Sequence, residues 1–527
     1  MKGLFLILLL FYGRAIFTQE VPVVTEQQVE NLGDEAIEDD ALLQQLAFYQ
    51  KHPLHLNEAG AEELSLLRLL TGLQIQSFLR YRSVFGNLLS IYELQAVPGF
   101  DLVTIQKILP FVTVLGSQRI GESLKERLRS GDRFALFRIS RVLENAKGYD
   151  RGLRTHYLGD RNRLQVRYNY QHKNLLYYGL VADKDAGEQF MKGAQKLGFD
   201  FYSFHFFVRN QGRLKAFALG DYALNLGQGL TQWSSLAFGK SADVVNIKRQ
   251  LPALLPYRSA GEFYFSRGAA ATFRWGRLEA TAFLSYRKIS GNRTSDSADR
   301  FTAFALSGYH RTKAETDDRY KITHFATGGC LAYHQQSWKV GFNAISHHFS
   351  LPLQKRDEPY NRFAFSGKQL FLASLDYSYT YKNMHLFGEL AANQALHRAM
   401  VHGALISLDP KVDVSLLYRN VAKEYQSPFG NAFTETTTPS NETGVYLGIH
   451  IRPSLAWQVA AYADFYRFPF LKYRVSSPTR GQDYLAQLTY TPTKTTEMYL
   501  RFRTENKPLD GVGQAISYPV GQGRTSL

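Results

Sequence analysis

Arg161-Asn162-Arg163-Leu164-Gln165-Val166-Arg167-Tyr168-Asn169-Tyr170-Gln171 alternates in character residue by residue. Leu164, Val166, Tyr168 and Tyr170 fall on one face, and Arg163, Gln165, Arg167 and Asn169 on the other. A period of two marks a strand with one apolar face. The pattern returns in Ala280, Ala282, Leu284 and Tyr286, in Ala373, Leu375, Tyr377 and Tyr379, in Val412, Val414, Leu416 and Tyr418, and in Met498, Leu500 and Phe502. Charged, turn-rich stretches separate these runs, among them 290–299, 354–362 and 427–443.

Between Asp132 and Thr504 the alternation predicts roughly fourteen to eighteen strands of about 8 to 12 residues, the length a tilted strand needs to cross a bilayer. No segment offers about 18 consecutive apolar residues, so no transmembrane helix is expected. Alternation alone also fits a soluble sandwich or propeller. Three features favour a transmembrane barrel: an export signal, Tyr and Phe near strand ends, and Arg, Gln and Ser partners suited to a wet lumen. In lipid every backbone group must be paired internally, which a closed sheet achieves and an open edge does not.

The composition agrees. The chain has 527 residues, 45% apolar and 20% charged, with 37 Phe and 32 Tyr against 4 Trp. That excludes a chain disordered throughout. One cysteine, Cys330, excludes an internal disulfide and a Cys-based metal site. The net charge of +16 is unevenly placed: residues 19–115 hold five basic and thirteen acidic groups, so the basic excess belongs to the C-terminal part.

Lys2, an apolar run from Leu4 to Tyr12 and the small and polar Thr18 and Gln19 give the order of a secretory signal peptide, 1–18, with cleavage after Thr18. No cysteine follows to take a lipid. An acidic flexible lead, 19–47, comes next.

Residues 48–115 carry a different period. Glu62-Glu63-Leu64 opens a helix with Leu64, Leu67 and Leu70 as its stripe, and a second helix runs from about Gln74 to Val84 before Gly86. Ser90 and Glu93 have capping-box spacing, and Asp101 caps a fourth helix that Pro110 stops. With Asn57, Tyr81-Arg82, Gly86, Glu93-Leu94, Pro98-Gly99 and Pro110-Phe111-Val112-Thr113-Val114, this segment resembles the tandem helix-hairpin-helix domain of competence-type DNA-uptake proteins.

The resemblance implies DNA binding through backbone amides of a glycine turn at a helix start. The chain departs from the pattern at that turn. Arg68-Leu69-Leu70-Thr71 replaces the first glycine turn, with Gly72 one position late, and Asp101 takes a glycine position in the second. Residues 51–114 also balance five basic against five acidic groups, which removes much of the counterion-release drive. Protein docking is therefore the expected role of the domain, with DNA binding the alternative. The candidate DNA or partner-binding residues are Thr71, Gly72, Arg80, Arg82, Pro98, Gly99, Phe100 and Lys107.

A second resemblance, to outer-membrane helix-hairpin-helix proteins of Gram-negative bacteria, rests on Gly220-Asp221-Tyr222, Gly227-Gln228-Gly229-Leu230, Gly239-Lys240-Ser241, Pro256-Tyr257, Ser259, Glu262 and Arg267-Gly268-Ala269-Ala270. Gly227 and Gly229 around Gln228 suit a bulge, a plug or an inward loop. Lys240, Glu262 and Arg267, with Lys248, Arg249 and Arg258, are candidates for a charged lumen or for hydrated loops.

No phosphate loop, His-Glu-x-x-His or Gly-x-Ser-x-Gly motif is present. No cofactor, metal or catalytic residue is predicted. A membrane-embedded hydrolase assembled from separate strands, with His324, His334 or His385, is a further alternative. The C-terminus, Pro519 to Leu527, is glycine-rich and lacks the terminal aromatic of barrel proteins. Either closure uses an internal strand or the sequence lacks its last hairpins; the second is expected, and it would leave the sheet open.

The expected fold class is thus α+β multidomain: a small all-α domain, a linker at 116–131, and a large antiparallel transmembrane β-barrel at 132–527. The expected location is the outer membrane, with the helical domain in the periplasm. The expected function is a translocation or envelope-assembly component that docks a periplasmic protein partner.

Overall fold

Alternating segments from Asp132 onward pair as neighbours into one closed antiparallel sheet. The computed structural model describes residues 41–115, 123–294, 299–493, 496–510 and 519–526. The expected signal peptide and most of the acidic lead lie outside the described residues, as do 116–122 of the linker.

Among the described residues eighteen long strands form the wall. In chain order the first nine are β1 Asp132–Arg141, β2 Asn162–His172, β3 Leu176–Lys184, β4 Phe201–Gln211, β5 Leu214–Leu224, β6 Ser266–Trp275, β7 Leu278–Ile289, β8 Ile322–His334 and β9 Trp338–Leu353. The second nine are β10 Gly367–Tyr381, β11 Met384–Asn393, β12 Arg398–Asp409, β13 Val412–Val421, β14 Glu442–Ile451, β15 Trp457–Phe468, β16 Thr479–Thr493, β17 Thr496–Asp510 and β18 Pro519–Ser526. Three short strands, Leu254–Pro256, Gly291–Arg293 and Phe301–Phe304, extend the long connections.

The glycine-rich terminal segment is itself the closing strand: β18 pairs with β17 and stands beside β1. This corrects the expectation of an open sheet. Ladder bonds come from the backbone, so a strand of Gly, Gln and Ser closes the ring without a terminal aromatic.

Polarity runs opposite to that of a soluble domain. On β7 Leu284 and Tyr286 point outward and are about half exposed, while Glu279, Thr281, Ser285 and Arg287 face inward and are buried. On β10 Leu375 and Tyr379 are outward, and Ser374 and Asp376 are buried inside. The exterior is a continuous apolar belt, far larger than a soluble monomer exposes.

Connections on one end are short, at 173–175, 212–213, 276–277, 335–337, 382–383 and 410–411; those on the other are long, at 185–200, 225–265, 290–321 and 422–441. At the short-turn end aromatic pairs ring the wall. Phe273 lies against Trp275, Tyr333 against Trp338, Tyr379 against Tyr381, and Trp457 against Tyr490 with ring centroids 4.4 Å apart. Such rings suit the interface between hydrocarbon and water.

The helical unit comprises α1 Ala41–Lys51, α2 Ala61–Leu66, α3 Gly72–Phe85, a 3-10 turn at Ile91–Ala96 and α4 Leu102–Ile108. α1 moves the expected boundary: Ala41 to Phe48 is helix, because Leu42, Leu46 and Tyr49 share one face and are buried in the helical core. The Ser90–Glu93 box is formed, but over the 3-10 turn. Asp101 caps α4, accepting from Thr104 N at 2.8 Å. Within the expected linker, Leu124–Arg129 forms α5, capped by Ser123.

Candidate functional site: a lumen filled from both ends

The helical unit sits inside the short-turn end of the barrel. Its core is its own: Leu42, Leu46, Leu64, Leu67, Phe78, Leu94, Ile108 and Phe111 pack together, with side chains of the 225–265 connection at the margin. Replacing a side chain such as Phe78 by alanine there would cost about 3–5 kcal/mol.

Where the unit meets the wall, contacts are chiefly polar. On α1, the Tyr49 hydroxyl donates to Asn174 Oδ1 at 3.1 Å, beyond β2, and Gln44 meets Asn169 at 3.4 Å. On α2, Glu62 accepts from Lys215 Nζ of β5 at 2.7 Å, and the same ammonium holds Glu279 of β7 at 2.7 Å. At the start of α4, Asp101 pairs with Arg452 Nε at 2.8 Å, just past β14, and Arg452 also holds Asp413 of β13 at 2.6 Å. β5 and β14 are nine strands apart in a ring of eighteen. The unit is thus tethered on opposite walls.

The second filling element is the 225–265 connection, which folds inward from the long-loop end. Glu389 of β11, fully buried, accepts from Gln228 N at 2.6 Å and Leu230 N at 3.0 Å. Gly227 has φ +54°, and a Cβ there would lie 2.5 Å from Glu389 Cδ; Gly229 has φ +85° and faces the Asn431 carbonyl. Both glycines are required by backbone shape and by close approach. Gln228 exchanges two hydrogen bonds with the Arg249 backbone, at 3.1 and 3.2 Å. The Arg249 guanidinium donates to the carbonyls of Phe238, Asn431 and Ala432.

Lys240 enters a cage of Glu435 at 2.6 Å, Asp483 at 2.9 Å and Asp464 at 3.0 Å. Burial opposes its charge, but Asp464, Glu435 and Asp483 outweigh burial and raise its pKa above the usual lysine value. Arg267, on β6, pairs with Asp221. Glu262 accepts weakly from the Tyr320 hydroxyl at 3.4 Å, and burial together with Asp200 and Glu188 pushes its carboxyl well up. The interior charges are therefore largely internal pairs and cages.

The residues a DNA contact would need are mostly turned inward or used internally. Thr71 caps α3 in a box with Gln74. A Cβ on Gly72 would sit 3.0 Å from His385 Nε2 on β11, so the first hairpin is pressed against the wall. Gly99 offers its carbonyl to Gln74 Nε2 at 2.9 Å, Phe100 is buried, and the adjoining Pro98 is exposed. Arg82 donates to the Leu56 carbonyl and, at 2.8 Å, to that of Ala59. Lys107 lines a cavity of about 560 Å³ between α4, the infolded connection and the wall, with Gln74, Asn246, Gln487, Thr489 and Arg501. Arg80 is exposed on α3.

The helical unit presents an uncovered apolar rim instead: Val84, Phe85, Leu89 and Tyr92 are 65 to 87% exposed. These residues surround Gly86, at the end of α3.

At the long-loop end, Glu188, Asp200 and His310 bring three groups able to ligate a metal within 4.8 Å. Most of their bonding capacity is used within the protein, and Asp200 Oδ1, which has no hydrogen bond, pairs with Arg319 Nε at 3.1 Å. His310 Nδ1 lies 2.6 Å from Asp200 and Nε2 lies 2.9 Å from Ser290 Oγ, while Glu188 accepts from His310 N and Asp185 N, both at 2.9 Å. Ser290, 7% exposed, also accepts from Tyr320 N. The order Ser–His–Asp is that of a hydrolytic relay, but here it ties the 185–200 and 290–321 connections together beneath the surface. Of the histidines considered for a hydrolase, His324 contacts His347, His334 contacts Glu279, and His385 contacts Lys248 and Thr380.

Comparison with protein families and with curated proteins finds no match. Among solved structures, the chain is similar to OpdQ of Pseudomonas aeruginosa, with 9% identity, 69% of this chain and 88% of that one covered, and a TM-score of 0.37. It is similar to the outer membrane protein OprD of Pseudomonas aeruginosa, with 9% identity, 74% and 92% covered, and a TM-score of 0.33. An anion-selective porin from Comamonas acidovorans matches at 12% identity, 65% and 89% covered, and a TM-score of 0.30. At these scores the likenesses carry no further argument. The barrel rests on its own strand pairing.

Proposed function

We propose that the chain is an outer-membrane barrel that works as a translocation or envelope-assembly component. Its helical unit is a removable stopper at the periplasmic end, on which a periplasmic protein docks. The observation that carries this reading is the independent core of the helical unit joined to a chiefly polar wall seam. A body with its own core can leave as one piece, because the contacts it gives up are chiefly polar, with Leu73 and the apolar side chains of the 225–265 connection as the exceptions. The outward apolar belt supports a lipid surround, and short turns usually face the periplasm.

Docking is favoured over DNA by the two faces of the unit. The hairpins face the wall, and the outward rim of Phe85, Leu89 and Tyr92 is apolar, which suits a protein and offers phosphates nothing. In planar bilayers the full chain should conduct poorly, and the chain without residues 41–115 should conduct more, within the lumen that the 225–265 connection still narrows. Equal conductance would reject the stopper.

A further inference from the structure

Arg287, His324 and His347 meet on the inner face of β7, β8 and β9, near the long-loop end. Arg287 stands directly opposite His324 across the β7–β8 register, and His347 lies opposite Ala326, diagonal to His324. Their exposures are 4%, 4% and 1%. His324 Nε2 and His347 Nδ1 are 3.1 Å apart, with the rings stacked at 5.3 Å. One proton serves that contact, so two neutral rings turn one N–H and one bare nitrogen outward.

Those outward atoms, His324 Nδ1 and His347 Nε2, are buried without a hydrogen-bond partner among the described residues. So are Nε and Nη1 of Arg287. Asp221, on β5, is taken by Arg267, through Oδ1 at 2.6 Å and Oδ2 at 2.7 Å. Phe265 lies 4.6 Å from the Arg287 guanidinium carbon, with Phe263 and Phe429 at 5.6 and 6.0 Å. Phe429 also covers both imidazoles at 4.9 Å. Aromatic faces attract a cation but accept nothing from the edge of the guanidinium, where its N–H groups point.

A guanidinium cannot shed its proton to escape burial, and an unpaired buried charge is costly. The wall is therefore organised around an acceptor that none of the described residues supplies. The Nε–Nη2 edge of a guanidinium is the planar fork that takes two oxygens of one centre, Nη1 donates from the opposite edge, and the imidazole N–H adds a further donor. The aromatic roof restricts the occupant to a small one. We propose that Arg287, His324 and His347 bind a small oxyanion, a carboxylate or phosphate group, beneath Phe263 and Phe429. The site is separate from the stopper and does not depend on it.

The test uses the full chain in detergent micelles, titrated by calorimetry with inorganic phosphate and, separately, with formate. The expected result is saturable binding of one anion per chain with at least one of the two. Phosphate alone or formate alone identifies the group that fits. Affinity should fall at least tenfold in Arg287→Gln. Arg287→Lys, which keeps the charge but loses the planar set of donors, should lose most of it too, and serves if the first variant fails to show the heat-modifiable gel mobility of a folded barrel. Absence of saturable binding to the folded wild-type chain, or equal affinity in a folded Arg287 variant, would overturn the site.

Discussion

Replacing Asp101 by asparagine and Glu62 by glutamine should loosen the helical unit from the wall without unfolding it. Asparagine still caps α4, because its side-chain oxygen can accept from Thr104 N as the aspartate does. What is lost is the charge facing Arg452, and at α2 the charge facing Lys215. The side chains of these pairs are 19% and 9% exposed for Asp101 and Arg452, and 31% and 12% for Glu62 and Lys215. A charge-assisted hydrogen bond such as that from Lys215 Nζ to Glu62 contributes about 1.5–3 kcal/mol, and the Asp101–Arg452 contact, an ion pair without hydrogen-bond geometry, contributes no more than that. Arg452 keeps Asp413 and Lys215 keeps Glu279, so each change should cost the lower figure or less, about 1 kcal/mol. The sites lie on opposite walls and share no partner, so the effects add to about 2 kcal/mol. That is about a 30-fold rise in the ratio of open to closed stopper. Single-channel recording reads the ratio directly. A double variant whose open fraction equals that of the parent would refute the claim that these pairs hold a stopper in place.

Three further outcomes follow from the geometry. Gly227→Ala forces a side chain into φ +54° and toward Glu389, so the 225–265 connection should detach, with a cost of about 1–2 kcal/mol from backbone strain alone, read as faster hydrogen exchange across it. Burial and then Asp200 push the Glu188 carboxyl up from 4.5 to about 8. The folded loops hold that proton more tightly than the unfolded chain, so their stability is full below about pH 4.5 and falls as pH rises to about 8. Glu188→Gln should remove that dependence: thermal stability of the variant should exceed the parent's at pH 8 and not at pH 4.5. Phe85→Ser with Leu89→Ser should abolish capture of a periplasmic partner while leaving the closed conductance unchanged; undiminished capture would remove the rim from the account.

The alternation of 161–171 made the strands legible, but alternation has no sign. Leu284 outward and Arg287 inward is the same pattern as its inverse, and only closure of the ring decides which face meets water. The helix caps are partly legible: Ser90–Glu93 and Asp101 stand out by their spacing, whereas Thr71-x-x-Gln74, of equivalent spacing, lies where the hairpin pattern expects a glycine turn. β18 is not legible in the sequence because backbone ladders leave no compositional trace. The place of the helical unit inside the barrel could not be read, since Glu62 and Lys215 are 153 positions apart and neither is unusual alone. His310 and Arg287 carry no local motif; both acquire their neighbours only through connections or strands brought together by the closed wall.

The most direct measurement of the central claim is conductance of a chain carrying Gln44→Cys, Asn169→Cys and Cys330→Ser, on the loosened Asp101→Asn, Glu62→Gln background. Oxidation would tie α1 to β2 where the two side chains now meet. The account predicts frequent openings in the reduced protein, their loss on oxidation and their return with reductant. Openings of equal frequency in both states, with the disulfide shown to be formed, would mean that the helical unit does not gate the lumen.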